Sequence, residues 1–296
     1  MNHSSFGFES TAEEVTEGVD LSGRVWLITG VNSGLGYESA RVLAKRGAHI
    51  VGAARTLEKA ANALASLNID GTPLACDLSD IASVRAAVET VKARGITLDG
   101  ILANAGIMAL PELKQQHGYE LQFFTNHVGH FALVTGLLDQ LTESGRVVML
   151  SSGAHRMVGD DPIEFDNLSG ERDYHPWRMY AQSKLANILF ANSLAARFQQ
   201  EGSGRTANSL HPGVIRTNLA RHIPDAEGMF ERMTITLKSV PQGAATQCYV
   251  AVNPEAAAAS GRYFSDCAEE DPIPAGRDAA LAERLWTRTE AILAEL

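Results

Sequence analysis

Residues 25–46 read VWLITGVNSGLGYESARVLAKR, and the fold follows from how this stretch is interpreted. Val25, Trp26, Leu27 and Ile28 form an almost wholly apolar run of β-formers, the pattern of a strand buried on both faces of a parallel sheet. Three glycines, Gly30, Gly34 and Gly36, then break the run. Beyond them Leu35, Ser39, Val42 and Leu43 recur at helical spacing, with Lys45 and Arg46 closing the last turn. Strand, glycine turn and helix together aim unpaired backbone N–H groups and a positive dipole end at a phosphate. Glycines permit the turn's backbone angles and let a pyrophosphate approach without meeting a Cβ. The spacing is G-x3-G-x-G rather than the commoner G-x-G-x-x-G, and the flanking strand and helix supply the context that such a motif requires. Gly30, Asn32, Ser33, Gly34, Leu35 and Gly36 are therefore expected to hold a dinucleotide.

The 296 residues are 45% hydrophobic and 20% charged, a globular composition. A net charge of −10 leaves no basic excess for non-specific nucleic-acid binding. Cys76, Cys248 and Cys267 form no C-x-x-C pair, so neither a disulfide framework nor a zinc site is indicated. His155, His175 and His211 are not spaced as metal ligands, and no metal is expected. Buried free thiols in a reducing cytosol are the simpler reading. No apolar run approaches a membrane span, and residues 1–22 lack the basic and hydrophobic regions of a signal peptide. The expectation is a cytoplasmic protein.

The glycine turn's helix is followed by strand candidates at His49–Ala54, Thr72–Cys76, Gly100–Ala103, Arg146–Ser151, Thr206–Leu210 and Arg262–Ser265. Helical patterns fall at Leu57–Leu67, Ile81–Arg94, roughly Gly118–Leu141, Trp177–Gln200 and Ala279–Leu296. Strands alternating with long helices predict one doubly wound parallel α/β sheet (a Rossmann fold) of about seven strands, covered on both faces. No linker or repeat divides the chain, so residues 1–296 are read as one domain. Residues 1–22 are an extension anchored by Phe6 and Phe8. Gly153–Arg178 and Asn218–Val240 are excursions.

Ligands of such sheets sit beyond the carboxyl ends of the strands, where Thr29, Arg55, Asp77, Asn104, Ser151, Ser152 and His211 fall. Arg55 replaces the acid that would accept from the ribose 2′-OH of NAD, and its guanidinium fork suits the 2′-phosphate of NADP. NADP is thus the expected cofactor, with NAD as the alternative. Asp77 lies where a side chain can hydrogen-bond the adenine amino group, although it competes with Ser79 and Asp80 for the start of the next helix. Tyr180 and Lys184, four residues apart, share one helix face. A free tyrosine titrates near pH 10; a neighbouring ammonium and an oxidised nicotinamide would both favour tyrosinate. Tyr180 can then pass a proton to or from a substrate oxygen that Ser152 holds by a hydrogen bond.

These motifs in this order resemble the short-chain dehydrogenase/reductase family over nearly the whole chain: Thr29-Gly-x3-Gly-x-Gly36, Ala103-Asn104-Ala105-Gly106, Thr125-Asn126-His127, Ser151-Ser152, Tyr180-x3-Lys184, and His211-Pro212-Gly213 followed by Thr217. The resemblance implies a catalytic tetrad of Asn126, Ser152, Tyr180 and Lys184, with Asn126 holding a water in a proton relay from Lys184. It implies that Asn104 supports the sheet near the cofactor and that Val214 and Thr217 touch the nicotinamide amide. Leu78, Ala105, Gly106, Pro212 and Gly213, together with Tyr180 and Lys184, complete the implied cofactor surface. Phe6-Gly-Phe8, Ser151-Ser-Gly-Ala-His155 and Gly261-Arg-Tyr-Phe264 are similar to the retinol dehydrogenase and WW-domain oxidoreductase branch. That branch shares the 28-residue separation of Ser152 and Tyr180, longer than is usual in the family. The membrane-anchoring helix of animal retinol dehydrogenases is not expected here. Family habit implies a homo-oligomer built from the two long helices.

The expected activity is NADP-dependent hydride transfer between a hydrophobic alcohol and its ketone or aldehyde. The alternative is a catalytically idle dinucleotide-binding sensor or scaffold, against which the intact Asn/Ser/Tyr/Lys set speaks. A sugar-nucleotide epimerase shares Tyr-x3-Lys but brings a larger carboxy-terminal domain. Ile223, Met229, Phe230, Met233, Ile235 and Leu237 lead to the expectation of an amphipathic lid over residues 218–240, helical around Met229–Leu237, closing on a small hydrophobic substrate.

Overall fold

The computed structural model describes residues 4–296. In chain order its strands are β1 Val25–Thr29, β2 His49–Ala54, β3 Thr72–Ala75, β4 Leu98–Ala103, β5 Gln115–Gln116, β6 Tyr119–Glu120, β7 Leu141–Leu150, β8 Thr206–His211, β9 Tyr263–Ser265 and β10 Ala268–Glu270. The α-helices are α1 Gly34–Lys45, α2 Leu57–Ser66, α3 Ile81–Ala93, α4 Leu121–Phe123, α5 Gly129–Gly136, α6 Pro176–Gln200, α7 Ala226–Arg232, α8 Val240–Val252 and α9 Ala279–Ala294. Eight strands form one sheet in the order β10-β9-β8-β7-β4-β1-β2-β3. All neighbours pair in parallel except β9 with β10.

Alternation along β1 explains the layers. Trp26 and Ile28 point into an apolar cluster with α1, α2 and α8, through Leu43, Leu64 and Val250. Leu27 points into the opposite one, with α3, α5 and α6, through Val84, Phe131 and Leu194. Because both faces are covered, the strand is apolar at every position from Val25 to Ile28 rather than at every second one. The chain runs outward from β1 to β2 and β3, then returns to β4 on β1's other side. The strand order therefore reverses between β1 and β4, and the crevice at their carboxyl ends is the natural ligand site of such a sheet.

The structure departs from sequence expectation in three places. An eighth strand, β10, folds back on β9 through Asp266 and Cys267, both in left-handed backbone (φ 49° and 61°). The long helix expected from Gly118 to Leu141 is shorter and interrupted. Residues 115–120 form a small hairpin, and the Glu120 carboxylate then caps a new start by accepting from Phe123 N (2.8 Å). That helix passes through a π-turn at Phe124–Val128, continues as α5 and stops at Gly136. Leu141 already belongs to β7, whose register with β4 slips between Leu98 and Gly100. In the 218–240 excursion the helix is Ala226–Arg232, not Met229–Leu237. Asp225 caps it through Gly228 N, and the β-branched run Thr234-Ile235-Thr236 ends it.

Helices α4–α6 are covered by other parts of the same chain. Within one chain no residue from Leu121 to Leu137, or from Met179 to Ala195, is exposed. Helix α9 lies against them: Trp286 packs on Phe131 and Phe190 with ring centroids 4.8 and 5.6 Å away, and Arg197 lies 3.6 Å above the Trp286 ring. The Gly153–Arg178 excursion covers the rest, burying Ile163 and Leu168 among Phe123, Phe124, Leu185 and Leu189. At the amino-terminal end, Phe6 packs on Tyr249 of α8 (6.1 Å), and Lys238 Nζ stands 4.9 Å from the Phe8 ring centre.

Candidate active site

The turn after β1 is tied down by Gly30 N, which donates to Ala53 O of β2 (2.9 Å). Gly30 and Gly34 take left-handed backbone (φ 71° and 55°), and a Cβ on Gly36 would stand 2.4 Å from Gly30 O. Only glycine lets α1 start so close to the turn. Ser33 precedes α1 without a side-chain capping bond, and the first turn carries no acidic residue. Its amides therefore face outward unpaired, and the Cβ-free cradle fits a dinucleotide phosphate. Arg55 is exposed just beyond β2 and pairs with no carboxylate among the described residues. The Asp77 carboxylate accepts from Ser79 N (3.0 Å) and Oγ (2.6 Å), while Asp80 caps α3 through Ala82 N. Asp77 thus lies at the rim of the crevice and is not the helix cap. Leu78 is buried beside it.

The crevice floor is one connected polar network. Asn104 Nδ2 donates to Thr29 O (2.9 Å), joining the ends of β4 and β1. Thr29 Oγ1 accepts from the N–H groups of Asn104 and Ala105 (2.9 Å each) and lies 2.9 Å from His130 Nε2. His130 Nδ1 is 2.9 Å from Asn126 O. A carbonyl can only accept, so the His130 proton sits on Nδ1; Nε2 is then the acceptor for the Thr29 hydroxyl. Burial holds His130 neutral, pushing its pKa down to about 4. The residue before the glycine turn, the loop Asn104–Ala105 and Asn126 are thereby held by one imidazole. Sequence reasoning missed His130; its spacing of four from Asn126 on one helix was the available signal.

Asn126 sits in the π-turn, a wider form of helix often found at functional sites. Its side chain clamps Ile107, accepting from N and donating to O (2.9 Å each), and also donates to Ser183 Oγ of α6 (3.0 Å). A Cβ on Gly106 would lie 3.1 Å from Asn126 Oδ1 and 3.5 Å from Lys184 Nζ, so these three groups converge. Helix α6, with Pro176 in its first turn and His175 accepting from Arg178 N, presents Tyr180 and Lys184 to the same place. Lys184 Nζ stands 5.6 Å from the Tyr180 ring centre and donates to Leu150 O (3.1 Å). Ser151 Oγ donates to Lys184 O (2.7 Å), which fixes β7 against α6.

Burial sets the charge of both titrating groups on α6. Burial pushes the Tyr180 hydroxyl up to about 12, and a hydrogen bond with Ser152 offsets this only in part. Burial also pushes Lys184 down to about 8. Desolvation of the buried ring is the dominant cause, so the protein alone holds Tyr180 as a neutral acid.

The far wall is the loop after β8. His211 Nδ1 accepts from Gly153 N (2.9 Å) and Gly213 N (3.4 Å), binding this loop, with Pro212, to the one that carries Ser152. Val214 O accepts from Lys238 N (2.9 Å), and Lys238 Nζ is paired with Asp266 (2.5 Å). Lys238, with its side chain only 1% exposed, is a second support that sequence reasoning did not single out. Thr217 caps the turn Asn218–His222, and its side chain lies 3.6 Å from where a Cβ on Gly34 would be, closing the wall onto the glycine turn. Beyond it Phe230 is buried, Met229 and Met233 are half-buried and Ile235 is exposed.

A family model described as short chain dehydrogenase matches residues 24–161. Among curated proteins, the chain is similar to the short-chain dehydrogenase TIC 32 B, chloroplastic, of Brassica napus, with 42% identity covering 96% of this chain and 92% of that one. It is similar to human retinol dehydrogenase 14, with 37% identity covering 92% and 87%. Among solved structures it is similar to a short chain dehydrogenase from Burkholderia cenocepacia in complex with NADP, with a TM-score of 0.66, 26% identity and coverage of 82% and 96%. Among the described residues no helix is long and apolar enough to cross a membrane.

Proposed function

The chain belongs to the short-chain dehydrogenase/reductase family, an NAD(P)-dependent oxidoreductase acting on CH–OH groups, and from that premise we propose that it interconverts a hydrophobic alcohol and its ketone or aldehyde with NADP, using Tyr180 as the acid/base. The observation that carries this reading is the meeting of Tyr180, Ser152, Lys184 and Asn126 beside a glycine cradle fit for a phosphate. A nicotinamide dinucleotide, bound there, supplies the hydride chemistry. Gly30, Asn32, Ser33, Gly34, Leu35 and Gly36 would hold its phosphates, Arg55 its 2′-phosphate, Asp77 and Leu78 its adenine. Asn104, Ala105 and Gly106 would form the floor, and Pro212, Gly213, Val214 and Thr217 the nicotinamide wall.

Ser152 Oγ donates to the substrate oxygen and holds it against Tyr180. In the reducing direction Tyr180, neutral through the physiological range, gives its hydroxyl proton to that oxygen. Lys184 keeps its ammonium below about pH 8 and supports the tyrosinate so formed. Asn126, clamped to Ile107 and Ser183, keeps Lys184 and Gly106 in register. The exposed and half-buried methionine-rich segment after Thr217 is the substrate lid, and it favours apolar carbonyls over sugars. Three buried free cysteines suit a reducing compartment such as the cytoplasm.

Tyr180→Phe keeps the ring and removes the proton. Turnover on a panel of carbonyls should fall by about two to four powers of ten, while NADPH binding measured by fluorescence stays near wild type. A variant keeping more than a few per cent of kcat would overturn the assignment of Tyr180. Binding without turnover in the wild type would favour the idle sensor.

A further inference from the structure

Arg55, Lys114 and Arg221 pair with no carboxylate among the described residues, although the chain has 35 acidic residues against 25 Lys and Arg. In an acidic protein, cations left unpaired together mark a place prepared for an anion. The turn Asn218–His222 brings one of them back over the glycine turn, because Thr217 at its start packs on Gly34. Arg221 makes one hydrogen bond, from Nη1 to Asn218 O (2.9 Å), and otherwise faces solvent. Its surroundings disfavour its charge, first through partial desolvation and then through the nearby guanidinium of Arg55. His222 beside it is held low by burial and then by Arg221, Lys114 and Arg55. Arg55 follows the end of β2 that holds Gly30, and Arg221 sits on the turn that packs on Gly34, so both guanidiniums border the glycine turn and neither is paired with a carboxylate among the described residues.

We propose that Arg221 is a second ligand of the cofactor's 2′-phosphate, facing Arg55 across it, so that the lid turn recognises NADP as well as the substrate. This rests on the NADP reading above and extends it to a residue of the substrate side. A phosphate monoester carries nearly two negative charges at neutral pH, enough to relieve the repulsion between both arginines. A ribose hydroxyl offers nothing to Arg221, so NAD leaves the lid turn unengaged.

The test is direct binding, read by NADPH and NADH fluorescence at fixed ionic strength. Arg221→Met should raise the NADPH Kd about tenfold or more, the scale of one charge-assisted bond to phosphate, and leave the NADH Kd within about twofold. Arg221→Lys should recover most of the NADPH affinity. Arg55→Met is the reference. If it weakens NADPH and Arg221→Met does not, the proposal for Arg221 fails and the NADP reading stands. Equal weakening of both cofactors by Arg221→Met would assign the residue to the diphosphate or to lid folding and also overturn the proposal. A wild type that binds both cofactors equally, with Arg55→Met silent, would refute the NADP reading itself.

Discussion

The proton-handling half of the site and its mouth are built on opposite terms. Tyr180, Lys184, Asn126 and His130 are all buried, and Asn126 and His130 use both ends of their side chains in fixed bonds. At the mouth Arg55 and Arg221 are exposed, and residues 218–239 hold only a short turn and a seven-residue helix. Rigid, desolvated groups serve chemistry because their dipoles need no rearrangement when charge develops. An open mouth with adaptable methionines serves selection, since it can order itself around what enters. The buried half should therefore govern rate and the open half should govern acceptance.

The hardest blow to this contrast comes from Lys184→Met. It removes a buried ammonium that supports the tyrosinate, and kcat should fall by about two to four powers of ten, with weaker NADPH binding besides. A variant within tenfold of wild-type kcat would show that the buried half does not set the rate. The next effect is on stability. Burial lowers His127 to about 3 and His130 to about 4, below the ordinary 6.5. The unfolded chain then binds more protons, so stability is complete above about pH 6.5 and is lost as pH falls towards those values. For His130 alone the loss is about 3 kcal/mol. Urea unfolding of His130→Gln should start lower at neutral pH and decline less between about pH 6 and 4 than the wild type; parallel curves would contradict the buried neutral imidazole.

Effects at the mouth are smaller and concern preference. Arg55→Ala should cut kcat/KM with NADPH by about one to two powers of ten and leave NADH nearly unchanged. A wild type that uses NADH equally well or better would sink the cofactor assignment. For substrate, each added methylene in a homologous series of aldehydes should raise kcat/KM several-fold, following about 0.8 kcal/mol per buried CH2, until the lid is filled. A flat series, unchanged in Met233→Ser, would place the apolar pocket elsewhere.

What could be seen in the sequence was what local pattern determines. The glycine turn, the alternation of strand and helix, and the placing of Tyr180 and Lys184 on one helix face all depend on neighbours a few residues apart. The roles of His130 and Lys238 depend on distant chain, α5 lying beside the end of β1 and Lys238 reaching Asp266 beneath the loop after β8, and only the spacing of His130 from Asn126 hinted at either. The lid helix was set too late because Met229, Met233 and Leu237 fit helical spacing, while the cap at Asp225 and the β-branched run after Met233 decided otherwise. The sequence shows the lysine beside Tyr180 but not the depth of burial, which by itself raises the hydroxyl. Nor does periodicity in α6 reveal that α9 is the element that covers it.

That cover has a consequence in time as well as in space. Seventy-eight residues, 201–278, separate the end of α6 from the start of α9, and α9 ends at Ala294. At synthesis rates of about 5–20 residues per second, the apolar backs of α5 and α6 wait on the order of 5–20 s for their partner to emerge. During that interval Phe131 and Phe190 lack Trp286, and His127 lacks the Thr289 hydroxyl 3.0 Å from its Nε2. The nascent chain thus passes through a stage in which its catalytic helix is complete but its sheath is not, and its sticky face is open to chaperones or to another unfinished copy.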